Sequence, residues 1–113
     1  MLLALTDIVT RVKRTAEKKV SVRELEMGDI FRHSVYGLHR VTTEEAVLAS
    51  LEAGRRFQWS GHWYILKRSE NGLKPFRLQT KEPFSAVDEA GLGMPIALTE
   101  TVSVLVFLPE KGK

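Results

Sequence analysis

Cysteine is absent from all 113 residues, which removes disulfides, thiolate metal sites and cysteine nucleophiles together and leaves packing to hold the fold. Long apolar runs are absent too. Nothing approaches the roughly 18 consecutive apolar residues of a membrane-spanning helix, and the apolar start from Met1 to Leu5 is broken by Asp7 with no small-residue cleavage site behind it. The chain is therefore expected to be cytoplasmic, with no membrane partner. The three histidines, His33, His39 and His62, have no ligand-like spacing and no accompanying acidic motif, so neither a metal nor a cofactor is expected. Gly91 and Gly93 around Leu92 lack the lysine and following helix of a phosphate-cradling loop. Ser34, His39 and Asp29 lack a nucleophile elbow and an oxyanion loop, so the expectation is a protein that is not an enzyme.

What is present is charge arranged in blocks. The net charge is only +3, yet residues 55–81 hold seven basic side chains against the single acid Glu70. Residues 1–23 are also basic, and the two segments 24–54 and 82–113 are acidic. Both tryptophans lie in the basic block 55–81, with Phe57, Tyr64 and Phe76. Such a mixture serves either as a phosphate-and-base surface or as a core hairpin with a solvated back. With an apolar fraction of 43% and a charged fraction of 27%, the composition is that of an ordinary folded chain, and the length fits one domain.

Periodicity predicts a first amphipathic helix over about Thr6 to Lys19, since Leu5, Ile8, Val9, Val12 and Ala16 recur at helical spacing and the terminal charges suit the helix dipole. Its polar face would carry Arg11, Lys13, Arg14 and Lys18. Ser21 and Glu24 form a capping box for a short turn that Gly28 ends, ahead of strands at Ile30 to Arg32 and Val35 to Val41. A second capping box, Thr42 with Glu45, predicts a helix through Leu51 and Ala53 that Gly54 closes.

In the basic block, Asn71-Gly72 is a strong two-residue hairpin signal that places Glu70 opposite Leu73 and Ile65 opposite Leu78. A three-residue loop, Ser60-Gly61-His62, then puts Phe57, Trp59, Trp63 and Ile65 on one core face with Phe76 and Leu78. The opposite face becomes Arg56, Gln58, Tyr64, Leu66, Arg68, Arg77 and Gln79. Its guanidiniums, amides and phenol suit phosphate contacts with modest stacking, and it also fits a plain solvated face. Residues 81–98 read as a loop, and Thr99 to Leu108 as a central strand apolar on both sides.

The segment Thr42-Thr43-Glu44-Glu45-Ala46, with Leu51-Glu52-Ala53-Gly54-Arg55-Arg56-Phe57 behind it, resembles the helix–glycine–strand opening of small phage proteins, including the Thoeris anti-defence family. That resemblance implies an oligomer that sequesters a cyclic-nucleotide signal. The expected architecture is α+β, two helices on an antiparallel sheet of about five or six strands that curls toward a small barrel. The expected function is an accessory binding module of phage or mobile-element type that engages a nucleic acid or nucleoprotein complex. Its site would be Arg56, Gln58, Tyr64, Arg68, Arg77 and Gln79, supported by Arg11, Arg14 and Lys18. The alternative is a homo-oligomerising protein-interaction module, with Leu66, Leu105 and Phe107 at the interface, which holds a small anionic or nucleotide ligand there.

Overall fold

The computed structural model describes residues 3–14, 16–91, 93 and 95–110. Met1 and Leu2 of the apolar start, and Leu92 between its glycines, lie outside that set. Every regular element of the described residues is a strand or a single 3-10 turn. In chain order the strands are β1 (Ile8–Lys13), β2 (Ala16–Ser21), β3 (Ile30–His33), β4 (Gly37–Val47), β5 (Arg56–Trp59), β6 (His62–Ser69), β7 (Gly72–Arg77) and β8 (Thr101–Pro109). They follow the hydrogen-bonding order β2-β1-β3-β4-β8-β5-β6-β7, whose ends are β2 and β7. The expected α+β fold with two helices on five or six strands is thus replaced by an eight-stranded antiparallel arrangement. Two compact units share the chain, residues 1–42 with 106–113, and residues 43–105.

Both helix expectations fail for the same physical reason. Ile8, Val9, Thr10 and Val12 are β-branched, stiff at χ1 and well suited to a pleated surface. The same residues satisfy helical spacing, and β-pairing wins: β1 runs antiparallel to β2 with Val9 opposite Val20, and to β3 with Arg11 opposite Phe31. Arg14 makes the reversal with a positive φ of 51°. Residues 41–47, Val-Thr-Thr-Glu-Glu-Ala-Val, hold four β-branched side chains as well and extend β4, the neighbour of β8 in the sheet. The Thr42 and Glu45 spacing therefore belongs to β4, and only a 3-10 turn, Leu48–Ser50, follows. The helix on which the likeness to the anti-defence family rests is not formed. Gly54 does take a positive φ (89°), but in a turn whose N–H donates to the Leu66 carbonyl at 2.7 Å.

The turn at Ser21 is formed, over Val22–Glu24, with the Ser21 N–H donating to Glu24 Oε2 at 2.8 Å. In the first unit Val9, Val20, Val22, Leu25, Phe31, His39 and Val41 are buried. Phe107 meets Phe31 edge-on at 5.4 Å, and His39 stacks on it at 6.0 Å. In the second unit, Ser60 and Gly61 both take positive φ (50° and 80°) in a two-residue turn that pairs Trp59 with His62. Positive φ at both central residues is the signature of a type I′ turn, whose twist suits a hairpin. The expected three-residue loop is therefore wrong, and every side chain of β5 is reversed relative to β6.

Candidate nucleic-acid interface

The hairpin β1–β2 gathers the positive charge of the first unit. Antiparallel partners point to the same side of the sheet, so the pairing of Arg11 with Lys18 sets two cations side by side, and Lys13, opposite Ala16, shares their face. Arg14 stands at the tip, and Lys19, opposite Thr10, points to the other face. Lys13, Arg14, Lys18 and Lys19 are exposed, and Arg11 is half-buried. The one acid of the hairpin, Glu17, lies on the opposite face from Arg11 and Lys18, where it accepts from Arg32 Nη1 at 2.6 Å. Glu24 is the acid that feels the cluster. Its carboxyl is held below the ordinary carboxylate range, first by the Ser21 backbone N–H and the Ser21 hydroxyl, and further by the positive fields of Lys18 and Arg11.

The secondary basic residues foreseen from the sequence, Arg11, Arg14 and Lys18, are thus brought together, although on a hairpin and not on a helix. The primary set is divided. Because β5 is reversed, Arg56 and Gln58 share a face with Ile65 and Trp63, whereas Tyr64, Arg68 and Arg77 share the other with Phe57. Tyr64 is buried and stacks on Phe57 with ring centroids 5.5 Å apart. Arg56 Nη1 donates to the Pro83 and Ser85 carbonyls at 3.1 and 2.8 Å, which ties down the loop after β7. Arg77 Nη2 donates to His62 Nδ1 at 3.2 Å. Gln79 is exposed beyond β7, and its N–H donates to the Ala86 carbonyl at 2.9 Å. Arg68 is exposed near the β6–β7 turn, beside Lys67 and across from Leu73, and Lys67 lies 5.5 Å over the Phe76 ring.

Of the residues foreseen for an oligomer interface two are buried and Phe107 is half-buried. Leu66 and Leu105 are buried, and Phe107 packs against Phe31. The histidines have structural tasks: His33 Nδ1 accepts from the Val35 and Tyr36 N–H groups, His39 faces Phe31 and its Nδ1 meets the Gly37 carbonyl, and His62 receives Arg77. Among the described residues no group of three His, Asp or Glu side chains is placed to hold a metal ion, and no helix is long and apolar enough to cross a membrane.

Sequence reasoning missed the direct Arg11–Lys18 pairing. The signal was available in the β-branched run Ile8-Val9-Thr10 with Val12, which marks a strand where apolar spacing alone marks a helix. Comparison with protein-family models, curated proteins and solved structures finds no match, so the functional assignment rests on this geometry.

Proposed function

We propose that the chain is a small non-enzymatic binding module that holds a nucleic acid, free or within a nucleoprotein complex, by its phosphate backbone through the β1–β2 hairpin. One observation carries the proposal. Arg11 and Lys18 sit directly opposite each other, with Lys13 on the same face and Arg14 at the tip, while the hairpin's only acid is turned to the opposite face against Arg32. Like charges facing one another across strands cost the fold stability. A polyanion laid over them turns that cost into attraction: a guanidinium can grip two phosphate oxygens and the ammonium groups act as point charges. Recognition of this kind neutralises phosphates and releases counterions, with little reading of bases. In the second unit the exposed Arg68 and Lys67 offer a further phosphate contact, whereas Arg56 and Arg77 serve the fold through the bonds described above.

The test is fluorescence anisotropy of labelled single-stranded and duplex DNA and RNA with the purified protein across a salt series. The expected result is binding that weakens steeply with salt, with a slope of about −0.9 for each phosphate neutralised on a duplex. Absence of binding at low salt refutes the proposal.

A further inference from the structure

The β1–β2 hairpin runs past its neighbour in the sheet. Pairing of β1 with β3 stops at Val12 opposite Ile30, whereas pairing with β2 goes on to Lys13 opposite Ala16 and then into the turn with Arg14. β2 ends the strand order, so the ribbon has a free side as well as a free tip. Arg14 is exposed and takes a positive φ of 51°, a left-handed backbone that suits glycine or asparagine and costs an arginine stability. Strain at such a tip points to a task outside the fold. No residue from 8 to 21 is aromatic, so the hairpin offers an unpaired base nothing to stack on. Two acids border the cluster, and each is held in a turn: Glu24 accepts from the Ser21 N–H at 2.8 Å, and Asp29, just ahead of Ile30, from the Glu26 N–H at 2.8 Å. Neither lies on the hairpin, whose tip is left to cations.

We infer that the hairpin engages duplex DNA, with Arg14 entering the minor groove of an A·T-rich stretch and Arg11, Lys13 and Lys18 against the phosphates that wall it. The inference rests on the nucleic-acid reading above and names its substrate class. The minor groove of B-form DNA is about 6 Å wide. Two paired strands are already about 4.8 Å apart without their side chains, so the groove excludes the ribbon and admits a single extended side chain. A-tracts narrow it further and raise its negative potential, which draws an inserted arginine. A guanidinium suits that slot better than an ammonium because it is the more weakly hydrated. Lys13 lies on β1 and Lys18 on β2, so each strand brings an ammonium to the flank of the tip. The major groove admits a whole ribbon, but residues 8–21 hold no asparagine or glutamine to read adenine, and arginine or lysine there would read guanine. Duplex RNA has a wide, shallow minor groove and a major groove that side chains cannot read.

Anisotropy with labelled DNA duplexes of equal length, one with a central A-tract and one wholly G·C, tests it. The wild-type chain is expected to hold the A-tract duplex severalfold more tightly at the same salt. Arg14→Lys keeps the charge, so it should keep the salt slope while losing most of that preference. Arg14→Asn should lose the preference too, with a slope smaller by about 0.9 and a melting temperature no lower than the wild type's. Equal affinities, a preference for the G·C duplex or for an RNA duplex of the A-tract sequence, or an undiminished preference in Arg14→Lys each overturns the inference and leaves phosphate binding in place. Absence of binding to every duplex at low salt overturns the nucleic-acid reading itself, and this inference with it.

Discussion

Replacing Arg11 and Lys18 together by Gln separates a functional charge cluster from a merely solvated one, because the two roles move stability and binding in opposite directions. The side chains face each other across β1 and β2, and like-charge cross-strand pairs destabilise by about 0.2–1 kcal/mol. Glu24 offsets part of that, since both cations lie close enough to lower its pKa. The double variant should therefore melt at the wild-type temperature or slightly above it. If both side chains contact phosphates, the salt slope on duplex DNA falls by about 1.8, so roughly a fourfold rise in salt weakens the wild type about twelvefold more than the variant. Thermal unfolding and anisotropy on the same samples read both quantities. A variant with unchanged affinity and slope refutes the placement of the site on this hairpin, and a large loss of stability refutes the assignment of the pair as electrostatically strained.

Three further outcomes follow from the geometry. Phe31 is fully buried and meets both Phe107 and His39, so Phe31→Ala should cost about 3–5 kcal/mol in denaturant unfolding, against little change for Val35→Ala on the exposed turn. An added Cβ at Gly61 meets nothing within 4 Å, so Gly61→Ala should cost only the left-handed backbone penalty of about 1–2 kcal/mol, while Ser60→Asn, which suits positive φ, should raise the melting temperature. Glu24 is held below the ordinary carboxylate range chiefly by Ser21, and Glu110 chiefly by its hydrogen bond from Arg40. A depressed folded-state pKa gives stability that is present above the unfolded value and lost as pH falls through the folded one. Melting temperature should thus drop on acidification below the ordinary carboxylate range, and Glu24→Gln with Glu110→Gln should flatten that limb.

Residues 62–78 show what could be seen in the sequence and what could not. Alternation correctly puts Trp63, Ile65, Phe76 and Leu78 on one face, and they share it. The register slides by two residues, however, because the turn is Glu70-Asn71 with only Gly72 at positive φ (102°), where a type I′ Asn-Gly turn would need both. Ile65 accordingly faces Phe76 and not Leu78. The face read as solvent carries Tyr64 and Leu66, both buried. Four apolar residues in succession, Trp63 to Leu66, mark a strand covered on both sides, and no local rule names the cover.

The candidate site was legible to a similar depth, and the reason lies in how charge and apolar residues encode position. The basic blocks show in composition alone, but a cation becomes a binding group only when neither backbone nor acid takes it up, and that depends on long-range pairing. Arg56 looks as available as Arg11 in the sequence, yet it reaches the carbonyls of residues 83 and 85, some 27 positions away. Arg11 has the other fate because β-branched neighbours place it on a strand opposite Lys18. Selection for stability alone would put a carboxylate at position 18, as Glu17 answers Arg32 on the opposite face. If Lys18→Glu raises the melting temperature and abolishes polyanion binding, the lysine is kept for its ligand and the fold bears the cost.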